Sequence, residues 1–178
     1  DEIPIRKILL VPEEEAAGAE NAATEDGVNS RALLQFSPKQ PARRMRAVIF
    51  PANATCRKLK WRITNDTGAT SNLADVEVLD EEGLQAIVTA NGDGAFRVRV
   101  TADNGMDHVE VMSVLEGFAS GLGAAVINPY EFVTGSIYDD SSGKIGNGND
   151  RGFATANNEE SYAGFTHCDF GPVGSDEV

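Results

Sequence analysis

Between residues 46 and 104 apolar and polar side chains alternate with a period of two. Leu59, Trp61 and Ile63 interleave with Lys58, Lys60, Arg62 and Thr64, and Phe96, Val98 and Val100 with Arg97, Arg99 and Thr101. Alternation of this kind buries one face and wets the other, which predicts antiparallel sheet and not helix. Turn formers separate the runs: Asn65-Asp66-Thr67-Gly68, Asp80-Glu81-Glu82-Gly83, Asn91-Gly92-Asp93-Gly94 and Asn104-Gly105. No segment between them carries a helical period, so the fold class is all-β and the architecture a β-sandwich.

Along the chain the same logic predicts a first strand over 3–11, with Pro4 and Pro12 confining it to a sheet edge or to its own ends. Residues 13–30 lack periodic apolar positions and read as an exposed loop. A brief strand follows at 32–36, and longer ones at 44–50, 58–64, 74–79, 84–90, 95–102 and 108–115. That makes roughly seven or eight strands, the count of an immunoglobulin-like sandwich.

After Glu116 the pattern changes. Eleven of the 18 glycines fall in the last 62 residues, and the apolar runs shorten. Residues 124–133, 152–156 and 161–165 predict short strands around the polar loop DDSSGKIGNGNDR. A domain boundary is placed at GFASGLG, giving a sandwich over 1–116 and, over 117–178, a linker with the first strands of a second β domain. The second region is too small and too glycine-rich to bury a good core alone. The chain begins without Met, which reads as a piece of a longer protein.

Charge narrows the partners. With 15 Lys and Arg against 28 Asp and Glu, the net charge of −13 repels a phosphate backbone and argues against nucleic acid. No apolar run reaches the roughly 18–20 residues of a membrane-spanning helix, and the first residues show no signal-peptide pattern. The compartment is left open. Against this acidic background, Lys58, Lys60 and Arg62 share the outer face of one strand, and Arg97 and Arg99 that of another. As neighbours they would form a basic stripe, with Glu110 on the last strand placed to pair with an arginine. The stripe is either a solvated face with weak ion pairs or a docking face for an acidic neighbouring domain.

Candidate chemistry is sparse. Trp61 shares its phase with Leu59 and Ile63, so it reads as a core anchor and not a sugar-stacking platform. Cys56 and Cys168 read as two free thiols, and no Cys/His cluster supplies zinc ligands. His108 and His167 stand apart from any nucleophile motif, and Gly92-Asp93-Gly94 lacks the Lys and helix of a phosphate loop. Asp139, Asp140, Asn147, Asn149 and Asp150 offer hard oxygen ligands for calcium, but match no EF-hand and read first as a polar turn. The acidic pairs, among them Glu13 and Glu15, Asp80 and Glu82, and Glu159 and Glu160, sit in polar loops rather than across a cleft. Asn53-Ala54-Thr55 and Asn65-Asp66-Thr67 match glycosylation sequons, a short pattern that recurs by chance. No catalytic, cofactor or metal residue is assigned.

Phe50-Pro51-Ala52-Asn53-Ala54-Thr55, then Leu59-Lys60-Trp61, Ala74–Val78, Gly92-Asp93-Gly94 and Phe96–Thr101 resemble the bacterial Ig-like group 2 module. In that module a P-x-N-A-T turn precedes the Trp-bearing strand, and a G-D-G turn precedes a strand ending in T-A. Further segments are similar to the C-terminal part of bacterial family-2 glycoside hydrolases of the β-galactosidase type. They are Trp61–Asp66, Gly121-Leu122-Gly123, Asn128–Val133, Gly146–Gly152 and Phe165–Glu177. The resemblance implies an Ig-like sandwich followed by the opening, jelly-roll-type strands of a carbohydrate-binding-module-like domain. It implies no catalytic residue here, because the family's acid and nucleophile lie in an upstream barrel that nothing in this chain matches. The expected role is a non-catalytic scaffold that contacts neighbouring domains of the enzyme. Sugar contact, if any, is expected in the second region, where Tyr130, Tyr138 and Tyr162 fit stacking and core positions equally well. The alternative is a module of a surface adhesin or cell-wall-display protein, although such arrays usually repeat and one copy is found here.

Overall fold

The computed structural model describes residues 3–13, 33–55, 58–103, 110–130, 133, 135–138, 140–142, 145–147, 154–156 and 159–171. Eight strands build the larger part: β1 (Lys7–Pro12), β2 (Leu34–Phe36), β3 (Ala42–Phe50), β4 (Leu59–Thr64), β5 (Ala74–Val78), β6 (Gln85–Ala90), β7 (Gly94–Asp103) and β8 (Glu110–Ala119). They form two four-stranded sheets, ordered β1-β3-β6-β5 and β2-β8-β7-β4. The fold is an all-β sandwich. Its strand order is that of immunoglobulin-type sandwiches, with β2 added parallel to β8. Every other ladder in the two sheets is antiparallel.

The core follows from the alternation. Met45, Ala47 and Ile49 of β3 and Ala86, Val88 and Ala90 of β6 face Leu59, Trp61 and Ile63 of β4 and Phe96, Val98 and Val100 of β7. Phe36 and Phe96 meet as tilted rings with centroids 5.4 Å apart, the offset geometry favoured by the ring quadrupole. The Pro51–Thr55 turn anchors the chain start: Ile3 N–H donates to Thr55 Oγ1 at 2.9 Å, and Thr55 N–H donates to the Ile3 carbonyl at 3.0 Å. Lys7 lies over the ring of Phe50, its cross-strand partner.

Two strand expectations need correction. The last strand of the sandwich does not stop at Leu115 but runs to Ala119, so a boundary at 116 falls inside β8. Glu116-Gly117 looks like a break in sequence. In the ladder Glu116 lies opposite Arg97 and Gly117 opposite Phe96, whose ring occupies the space a side chain at 117 would need. Residues 124–130 form no ladder strand. A single bridge joins Ile127 to Cys168, and the chain then turns at Pro129-Tyr130, where Asn128 Oδ1 accepts the Tyr130 amide at 3.0 Å.

Beyond this point the described residues contain a 3-10 turn at Gly135–Ile137 and two small ladders. β9 (Asp140–Ser141) pairs with β12 (Ala163–Gly164), and β10 (Ile145–Asn147) with β11 (Ala154–Ala156). Ile127 is the one buried hydrophobic among the described residues past Ala119. Val126, Tyr130, Tyr162 and Phe170 are all more than half exposed.

Candidate functional site: a basic sheet face and the Asp93 junction

Trp61 sits in the core, 8% exposed, and its indole N–H donates 2.6 Å to the Gly83 carbonyl. That carbonyl belongs to the turn after β5, which Asp80 organises. Its carboxylate accepts the amides of Leu84 at 3.0 Å and Gln85 at 2.6 Å. Desolvation pushes the Asp80 carboxyl up, but the amides of Leu84, Gln85, Gly83 and Glu82 outweigh it and hold the group below the ordinary carboxylate range. Gly83 is required here, since it has φ +76° and a Cβ would collide with the Leu59 carbonyl. Indole, turn and β4 are thereby locked together, and Trp61 is a structural anchor.

β4 and β7 are neighbours, so the two basic strands meet as an immunoglobulin-like strand order requires. Register sets Lys60 beside Thr101 and Met112, Arg62 beside Arg99 and Val114, and Thr64 beside Arg97 and Glu116. Arg62 and Arg99 lie directly opposite each other, an arrangement that like charges disfavour. The 64–69 segment relieves it. Arg99 Nε donates to Thr64 Oγ1 at 2.9 Å, Arg62 Nη2 to the Gly68 carbonyl at 3.5 Å, and Arg97 Nη1 to the Asp66 carbonyl at 3.1 Å. Asn65 Oδ1 closes that segment by accepting the amides of Thr67 and Ala69, both at 3.0 Å. Part of the stripe is therefore a clamp on a turn. The acid that pairs with it is Glu116, 3.7 Å from Arg97, and not Glu110, which stands opposite Asp103. The arginine and glutamate side chains are 34% and 68% exposed, so the pair contributes little stability.

At the end of the sandwich where β7 begins, the Gly92-Asp93-Gly94 turn grips the chain that leaves β8. Asp93 carboxylate oxygens accept the amides of Leu122 at 2.8 Å and Gly123 at 3.2 Å, and the Asp93 amide donates to the Gly123 carbonyl at 2.7 Å. Gly92 is buried, and a Cβ there would run into the backbone of Ala125. A carboxylate with two backbone donors is a charge-assisted clasp, stronger than a neutral pair. It joins the sandwich to the segment that follows.

No protein-family model and no curated protein matches the chain.

The other candidate residues are scattered. Asp140 and Asn147 lie on separate ladders, β9 and β10, while Asp139, Asn149 and Asp150 fall outside the described residues. Among the described residues no three His, Cys, Asp or Glu side chains converge on a metal-sized site. Cys168 carries a free thiol, and Cys56 and His108 lie outside the described residues. His167 Nδ1 shares a hydrogen bond with the Thr166 hydroxyl, 2.8 Å away. Tyr130 donates its hydroxyl to the Phe170 carbonyl at 3.1 Å and leaves its ring 56% exposed, while Tyr162 is 53% exposed. Residues 14–30 also lie outside the described residues. Sequence reasoning missed Asp93 and Thr64. The signal for Asp93 was an acid between two glycines, with a second glycine-rich segment, GLG, free to supply donors.

Proposed function

We propose that this chain is a non-catalytic accessory region of a bacterial family-2 glycoside hydrolase of the β-galactosidase type. Its Ig-like module acts as a rigid spacer that positions the following domain. The observation that carries this reading is the Asp93 clasp on Leu122 and Gly123, which ties the sandwich to the next segment through three backbone contacts. The residues behind the family resemblance hold structural posts in this fold. Trp61 fastens a turn, Thr55 anchors the chain start, and Gly92 admits a crossing backbone. Residues 124–178 are read as the opening strands of a carbohydrate-binding-module-like domain, and their exposed Tyr130, Tyr162 and Phe170 are surfaces that the rest of such a domain would cover. A display module of a surface protein would use the same sandwich but without a barrel upstream.

Isothermal titration of this chain against galactosides and plant oligosaccharides tests the reading. The expected result is no saturable heat. Saturable binding by this piece alone would overturn the scaffold role and make the chain a carbohydrate-binding unit.

A further inference from the structure

The chain holds three methionines, and their settings differ. Met45 lies in the core with no exposure, and Met106 falls outside the described residues. Met112 stands on the wet face of β8, 51% exposed. Register sets it opposite Thr101 of β7 and diagonal to Arg99, a separation that long side chains span. Arg99 Nη1 points at Met112 Sδ from 3.6 Å. The rest of that guanidinium is already held. Its Nε donates to Thr64 Oγ1 at 2.9 Å, and it lies against Gly68, where a Cβ would stand 3.5 Å from Nη2.

Donor and acceptor are unequal in this contact. A guanidinium is a strong charged donor, whereas a thioether accepts only weakly. One chemical change removes the mismatch. An oxygen added to the sulfur gives a sulfoxide, whose oxygen carries partial negative charge and accepts strongly. Sulfoxides damage a fold when the methionine is packed among apolar neighbours. Met112 lies outside the core cluster and faces water, so the added oxygen needs no repacking there.

We propose that Met112 is a reversible oxidation site for hydrogen peroxide, and that Arg99 holds the sulfoxide formed there. A sulfur lone pair attacks one peroxide oxygen, and the S–O bond forms as the O–O bond breaks. The departing hydroxide takes the proton of the transferred oxygen and leaves as water. The sulfur is oxidised and the peroxide reduced. Arg99 is a positioning residue, since it meets the product oxygen and exchanges no proton or electron. Oxidation gives a polar end to the exposed apolar row that Met112 forms with Val114 and Phe118. Methionine sulfoxide reductases restore the thioether. The site does not depend on the glycoside hydrolase reading.

Brief exposure of the folded chain to hydrogen peroxide tests this, with the added oxygen placed by fragment-ion mass spectrometry that separates Met112 from Met106. Met112 is expected to gain oxygen, and Met45 to gain it only once denaturant opens the core. Equal oxidation of the two in the folded chain, or an unmodified Met112, overturns the proposal.

Melting temperatures then test Arg99. They are read before and after oxidation in a thiol-blocked Met106→Leu chain, with Arg99 and with Arg99→Leu. Oxidation is expected to lower the melting temperature more in Arg99→Leu, and an equal or larger loss with Arg99 present overturns its role. Because Arg99→Leu also loses the bond to Thr64, a second pair of variants leaves Arg99 in place. Met112→Gln supplies a carbonyl oxygen where the sulfoxide would form. It is expected to melt about 2–4 °C above Met112→Leu, the shift that one ordinary hydrogen bond gives a chain of this size. An equal or lower melting temperature for Met112→Gln overturns the proposal.

Discussion

The sandwich and the segment beyond it put their apolar residues to different ends. From Ile3 to Ala119 nearly every inward position is an aliphatic or aromatic residue below a tenth exposed, drawn from two sheets that close on each other. From 124 to 171 the described strands are two or three residues long, each ladder has two strands, and Val126, Tyr130, Tyr162, Phe165 and Phe170 are exposed while Ile127 is buried. Two-stranded ladders are marginal without a layer to pack against. The difference lies less in hydrophobic content than in whether a second sheet is present to receive it. A β segment gains stability from its partner sheet, and its own pattern only states which face needs one.

The sharpest way to break this comparison is to delete one large side chain from each region. Trp61→Ala removes a buried indole and its bond to Gly83, with an expected cost of about 3–5 kcal/mol in denaturant unfolding. Tyr162→Ala is expected to fall within about 0.5 kcal/mol. Equal costs would mean that the second region has a core of its own. An intermediate effect is expected at the junction. Asp93→Ala leaves the amides of Leu122 and Gly123 without their acceptor and costs about 1–3 kcal/mol. Hydrogen exchange should locate that loss at 122–123, with the slow core amides of β3 and β7 little changed. A uniform loss across the sandwich would show that the clasp belongs to the core and not to the junction.

The smallest effect is one of pH. Asp80 has a folded carboxyl held below its unfolded value, near 3.9, so between the two values the unfolded chain binds more protons. Its contribution is present above the unfolded value and is lost as pH falls through the folded one. Asp80→Asn should flatten the acid limb of a melting-temperature profile in that window while leaving the neutral region offset by a constant amount. An acid limb of unchanged slope would remove Asp80 from the acid response.

The alternation of Leu59, Trp61 and Ile63 against Lys60 and Arg62 needed no partner to be read, because burial on one face is a local property of strand geometry. All eight sandwich strands and the core position of Trp61 were legible in that way. The meeting of β4 with β7 followed from the count and order of strands. By contrast, nothing local distinguished Glu116 from Glu110 as the partner of Arg97, since register is a relation between two strands. The end of β8 was hidden for a related reason: Gly117 reads as a breaker until the ring of Phe96 is seen lying over it.

The sequence by itself determined the class of fold, the faces of the strands and the absence of a recognised catalytic motif, because periodicity and turn chemistry are written in consecutive residues. Tertiary structure alone decided what Asp93 holds, which acid meets Arg97, and that β2 lies parallel beside β8. Those outcomes depend on which distant backbone arrives at a given donor or acceptor, and chain closure, not local pattern, controls that arrival.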